Sequence, residues 1–200
     1  VEHLLQQVKA SDAEGLILDL RGNGGGYLNE AISLTGLFIE RGPVVQVVGS
    51  QPGQRRVHRD TDSRIAYDGP MVVLIDRYSA SASEIFAGAM QDYGRALIVG
   101  ERSFGKGTVQ YPRALRDRST DRKSKIKFTN AQFFRISGSS TQHRGVIPDL
   151  LLNSGEEDPE FGERSYDNAL PWSQTQAADY QAGAFPATLL AVSYTHLRAH

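Results

Sequence analysis

The chain has 200 residues, room for one compact domain, and its 22 Lys+Arg against 23 Asp+Glu leave a net charge of -1. That balance excludes a nucleic-acid binder driven by a basic field and a polybasic membrane anchor. The absence of cysteine excludes disulfides, thiolate nucleophiles and zinc–thiolate sites, and no apolar run approaches the roughly 20 residues that span a bilayer.

An amphipathic helix is expected from Val1 to Ala10. The chain opens inside that helix with no signal peptide before it, so it reads as a piece of a longer protein. Gly15 to Leu20 is a short apolar run of the kind buried in a parallel sheet, and the glycine cluster Gly22-Asn23-Gly24-Gly25-Gly26 follows at once. Leu28 to Phe38 has helical spacing, and Val44 to Val48 is a strand. Gly49 to Asp62 is polar and suits a hairpin. Met71 to Asp76 is the most apolar strand, a helix is expected from Ser83 to Tyr93, and Ala96 to Gly100 is another buried strand. Gly107 to Tyr111 and a strand pair over Lys125 to Ile136 complete the regular elements. The basic stretch Arg113 to Lys127 reads as a solvated loop, and the chain beyond Asp149 turns acidic and loop-like. Strands alternating with helices make an α/β layered domain.

Two junctions carry chemistry. Asp76-Arg77-Tyr78-Ser79-Ala80-Ser81-Ala82-Ser83-Glu84 lies where a strand turns into a helix, so backbone N–H groups there point out unpaired. A serine at that turn can attack a carbonyl while the next N–H receives the oxyanion. The same residues also form a Ser-x-x-Glu capping box, which requires no catalysis. The spacing is not that of a Gly-x-Ser-x-Gly elbow, and His3, His58, His143, His196 and His200 all read as surface residues rather than bases. A lysine can serve as base when its amine is neutral. Lys106, between Gly105 and Gly107 and beside Phe104, sits where burial would desolvate it, and the Gly-Lys-Gly spacing is not that of a phosphate-binding P-loop.

Asp19-Leu20-Arg21-Gly22-Asn23-Gly24-Gly25-Gly26, then Ser79 to Glu84, then Phe104-Gly105-Lys106-Gly107-Thr108-Val109-Gln110, taken in order, resemble the C-terminal processing proteases, and among them the tail-specific group of Gram-negative bacteria. The likeness runs from about Glu2 to Trp172. It implies a crotonase-like layered catalytic domain of mixed sheet and helices over residues 1–150, with 151–191 beginning a C-terminal extension. Val192 to His200 resembles translated sequencing adapter and is set aside. Matched position by position, the resemblance makes Ser81 the nucleophile, Lys106 the general base and Gln110 the residue that orients it. It puts the oxyanion hole at the backbone N–H groups of Gly25 or Gly26 and Ala82. Asp92 matches a position held to be functional in this group and is left as catalytic or structural. Three helical turns separate it from Ser81, roughly 16 Å along the axis, and a carboxylate against Lys106 would favour the charged amine. Gln110 has the better chemistry for orienting a neutral lysine.

The resemblance further implies an endopeptidase for polypeptides with unstructured C-termini, in the periplasm, with no cofactor and no metal. Its implied partners are a PDZ domain in cis that this sequence lacks and a periplasmic adaptor protein. Two rivals stay open: a crotonase-type acyl-CoA enzyme, whose oxyanion hole is built alike, and a non-catalytic peptide-binding relative.

Overall fold

The computed structural model describes residues 1–51, 53–116, 123–152 and 160–183, and the adapter-like stretch lies outside them. The elements in order are α1 (Glu2–Lys9), β1 (Leu16–Asp19), α2 (Leu28–Gly36), β2 (Gly42–Gly49), β3 (Arg55–Asp60), β4 (Met71–Ile75), α3 (Ala82–Asp92), β5 (Leu97–Gly100), β6 (Thr108–Arg116), β7 (Lys123–Phe134) and β8 (Leu150–Leu151). They build two four-stranded sheets. One is parallel, in the order β1-β4-β5-β8; the other is antiparallel, in the order β3-β2-β7-β6.

Patterning explains the layers. β5 is buried at every residue, as the interior strand of a covered parallel sheet must be, whereas β1 alternates and leaves Ile17 67% exposed. The apolar run before the glycine cluster is therefore an edge strand with one covered face. α3 is buried from Ser83 through Met90, all round its axis, because it packs against α2, β2 and β5 at once. Phe86 meets Phe38 edge to face at 5.8 Å, over a core that includes Met90, Ile75, Ile98 and Val44. Burying each such side chain contributes about 1.5–3 kcal/mol.

The stretch from Gly49 to Asp62, expected to hold a hairpin, holds only its turn and second strand, β3; the first strand is β2. The strand pair expected within Lys125 to Ile136 is instead the single strand β7, which pairs with both β6 and β2. The basic stretch read as a loop is correspondingly strand over Arg113–Arg116 and Lys123–Lys127. Its residues look loop-like because this hairpin is exposed on both faces, Tyr111, Leu115 and Ile126 included, so no apolar alternation marks it. The segment from 160 to 183 packs back on the domain: Glu163 N–H donates to Phe104 C=O at 3.0 Å and Ala178 N–H to Ile136 C=O at 2.8 Å.

Candidate active site

The turns that follow β1, β4 and β5 all leave the carboxyl end of the parallel sheet, in the register Asp19 beside Leu74 and Ile75 beside Gly100. That edge is where open parallel sheets hold ligands. It brings the glycine cluster, the serine turn and the lysine turn together.

Polar side chains wire the first two turns to each other. Asp76 accepts from Gly22, Tyr78 and Ser79 N–H, each at 3.0 Å. Ala80 N–H and the Ser83 hydroxyl both donate to Asn23 C=O at 3.0 Å, and the Ser79 hydroxyl donates to Leu20 C=O at 2.8 Å. Ser79 and Ser83 are thus buried and engaged with the glycine turn. Ser81 between them is only partly buried and takes a conformation an L-residue rarely adopts, φ 56° and ψ -111°, at the N-terminus of α3. This is a strained strand-to-helix bend like that of a nucleophile elbow, with Ser79 and Ser83 standing where the familiar motif has glycines.

Glu84 joins the serine turn to the lysine turn. It has no exposed surface, and its two oxygens take four donors: Oε1 from the Ser103 hydroxyl at 2.6 Å and Gly105 N–H at 2.8 Å, Oε2 from Ser81 N–H at 2.7 Å and Lys106 N–H at 3.0 Å. The backbones carrying Ser81 and Lys106 therefore stand one carboxylate oxygen apart. Burial pushes the Glu84 carboxyl from 4.5 up to about 7, against the opposing pull of those four donors. Sequence reading placed Glu84 only as a cap. Its one further signal was a carboxylate at the head of the apolar run Ile85-Phe86-Ala87.

The glycine turn lies against the serine turn. Gly25, at φ 97°, has no room for a side chain, since a Cβ would come within 2.5 Å of Ala80 O, 2.8 Å of Ala82 N and 2.9 Å of Ser81 Cβ. Its own N–H donates to Asn23 Oδ1 at 3.0 Å. Of the two glycines expected to offer an oxyanion donor, Gly25 has its N–H engaged, and Gly26 is the better candidate beside Ala82. A small apolar cavity of about 170 Å³ opens here, lined by Gly25, Gly26, Ala82 and Phe86 among others.

A second cavity, of about 510 Å³, is lined by the partly buried Lys106 together with Ala80, Thr108 and Gln110. The lysine turn is pinned from below, with Gly107 N–H on Gln142 Oε1 at 2.8 Å and His143 N–H on Gly105 C=O at 2.9 Å. Gln110 keeps to this cavity although the β6–β7 register shifts between Val109 and Gln110. Asp92 sits at the far end of α3, where Arg135 holds its carboxylate at 2.5 Å and 3.1 Å and the Ser137 hydroxyl donates at 3.2 Å. Its place is in a largely buried ion pair that braces the end of the helix. Among the described residues, no three His, Asp or Glu side chains converge as metal ligands would.

A mixed α/β domain with a strained serine, a lysine turn and a glycine turn at one sheet edge has close counterparts. The chain belongs to peptidase family S41, whose model matches residues 1–152. It is 48% identical over 184 residues to the tail-specific protease of Haemophilus influenzae, covering 90% of this chain and 26% of that protein. It is 38% identical over 139 residues to the chloroplastic C-terminal processing peptidase of Tetradesmus obliquus, covering 70% of this chain and 29% of that one. Among solved structures, the photosystem II D1 C-terminal processing protease superposes with a TM-score of 0.66 at 32% identity, over 76% of this chain and 38% of that one. The chain spans between a quarter and a third of the length of these curated relatives.

Proposed function

We propose that this domain is the catalytic unit of a serine endopeptidase in which Ser81 and Lys106 form the working pair. The observation that carries this is the shared Glu84 oxygen, which accepts from the N–H of both residues and so fixes one turn against the other. Neutral Lys106 takes the Ser81 hydroxyl proton as the serine oxygen bonds to the substrate carbonyl carbon. The negative charge that develops on the carbonyl oxygen meets the N–H groups of Ala82 and Gly26 at the head of α3. Lys106 then gives its proton to the leaving amine as the C–N bond breaks, leaving an acyl-enzyme on Ser81. Water attacks that ester carbon as Lys106 takes its proton, and Lys106 returns the proton to the Ser81 oxygen as the ester C–O bond breaks. Gln110, beside Lys106 in the same cavity, orients the amine without adding charge.

The substrate class is unfolded polypeptides recognised near their C-termini; the relatives' names, tail-specific and C-terminal processing, support recognition at that end. A periplasmic setting is carried over from the resemblance to the tail-specific group, while one relative is chloroplastic. A PDZ domain in cis and a periplasmic adaptor would supply substrate affinity beyond the cavities at the site. The test is cleavage of an unfolded polypeptide by the full chain and its Ser→Ala variants. Ser81→Ala abolishes turnover and keeps the melting temperature. Ser79→Ala and Ser83→Ala weaken the wiring to the glycine turn and leave turnover measurable. Turnover that survives Ser81→Ala but not Ser79→Ala or Ser83→Ala overturns the assignment.

A further inference from the structure

The segment from Phe161 to Trp172 lines the Lys106 cavity as a strap tied at both ends. At the first end, Phe161 packs edge to face on Tyr78 at 4.9 Å and on Phe104 at 5.8 Å. Glu163 N–H donates to Phe104 C=O at 3.0 Å, and the Glu163 carboxylate accepts from the buried Gln142 at 3.2 Å. Gly162 makes this approach possible: at φ 92°, a side chain there would come within 2.8 Å of Phe104 O. At the second end, the Trp172 indole N–H donates to Ser140 C=O at 2.9 Å, and the Arg144 guanidinium lies 3.6 Å over its ring. The middle of the strap supplies Tyr166, Ala169 and Leu170 to the cavity that Lys106 also lines.

Between its anchored ends the strap is mostly polar, but it leaves two large side chains uncovered in a cavity that Thr108, Thr129, Glu163 and Asn168 also line. Tyr166 is 60% exposed and Leu170 41% exposed although both line a cavity of about 510 Å³. A substrate side chain would supply the missing cover. The chemistry of the proposed function says which one. Lys106 must reach the leaving amine, so the residue that follows the scissile bond lies on the Lys106 side of Ser81. The carbonyl oxygen lies on the Gly26 and Ala82 side, next to the smaller cavity.

We propose that the strap Phe161–Trp172 builds, with Phe104, a subsite for a bulky apolar side chain on the residue just after the scissile bond. Leu170 and Tyr166 set the preference. The inference rests on the Ser81–Lys106 reading. The strap lies beyond the residues 1–152 matched by the family model, so this selectivity belongs to a part of the chain outside that shared core.

The experiment is digestion of an unfolded polypeptide by the full chain, with every cut mapped by mass spectrometry. Leu, Ile, Met or Phe should follow the cut about tenfold or more often than Gly or Asp, the ratio expected from burying one large apolar side chain. Leu170→Asp and Tyr166→Ala, both at exposed positions the fold tolerates, should flatten that ratio while the residues preceding the cut keep their frequencies. No enrichment in the wild type, or enrichment unchanged in both variants, overturns the proposal. Binding separates this outcome from failure of the catalytic reading. Labelled peptides differing only in their first residue are titrated into the full chain carrying Ser81→Ala. Leu-initiated peptides should bind about tenfold tighter than Gly- or Asp-initiated ones, and Leu170→Asp should erase the difference. Equal affinities sink the subsite whether or not the wild type cuts.

Discussion

Replacing Glu84 by glutamine keeps the shape of the side chain and removes its charge, and the structure sets what that costs. A glutamine offers one acceptor oxygen where the carboxylate offers two, so either Ser103 and Gly105 or Ser81 and Lys106 lose their shared acceptor. Two buried donors left unpaired cost about 2–6 kcal/mol, at 1–3 kcal/mol each. Against this stands the cost of burying the charge. The folded-state value of about 7 lies above the ordinary 4.5, so the native state holds its proton more tightly than the unfolded chain does. The associated stability is fully present below pH 4.5 and is lost as pH rises through 7, about 3 kcal/mol in all at 1.36 kcal/mol per unit. Glutamine loses nothing over that window. Wild type and Glu84→Gln should therefore differ most at pH 4.5, and the gap should close by about 3 kcal/mol by pH 7.5. Activity follows a different rule, because a displacement of about 1 Å between nucleophile and base costs on the order of a hundredfold in rate. Urea denaturation of both proteins at pH 4.5 and 7.5 measures the first effect, and kcat/KM on an unfolded polypeptide at pH 7.5 measures the second. A stability gap that stays constant with pH refutes the burial argument. A variant within threefold of wild-type kcat/KM refutes the clamp.

Three further variants separate the remaining site residues. Asp92→Asn removes the charge that Arg135 holds, so it should lower stability by about 2 kcal/mol in urea denaturation and leave the shape of the pH–rate profile intact. Gln110→Glu should lower activity at neutral pH and move the half-maximal point of the profile upward, because a carboxylate beside the amine favours its charged form; an unchanged profile here with a collapsed one for Asp92→Asn would hand the third role to the aspartate. Gly25→Ala should abolish kcat/KM and cost about 1–3 kcal/mol of stability, since a Cβ meets Ala82 N and Ser81 Cβ at a left-handed backbone angle; full activity in that variant would show that the glycine turn plays no part in the chemistry.

What was legible in the sequence is what periodicity and turn chemistry encode. The apolar runs that became β4 and β5, the helix after Ser81 and the three turns at the sheet edge were all readable, because each pairs a hydrophobic pattern with a cluster of breaking residues. The β6–β7 hairpin was only partly readable, since an exposed ribbon has no covered face to impose alternation. The two residues of β8 were too short to signal, and its pairing with β5 is a long-range fact. Glu84 was visible as a cap and invisible as a clamp: both its oxygens also accept from a turn 21 and 22 residues further along the chain, which no local pattern reports. The strap was hidden for the same reason. Its anchors Phe161 and Trp172 are ordinary aromatic residues until Tyr78, Phe104 and Arg144 are brought to them.

The three turns at the sheet edge come from strands that pair in parallel, with Asp19 beside Leu74 and Ile75 beside Gly100. No two of them can meet through a local hairpin, and each contact closes a long stretch of intervening chain, which makes such pairings slow to form. An unfolded polypeptide is the material this domain is proposed to cut, and its own chain is such a polypeptide during synthesis. The topology postpones the blade. On the proposed reading, Ser81 is a serine like any other until β1, β4 and β5 lie side by side and Glu84 is sealed beneath them.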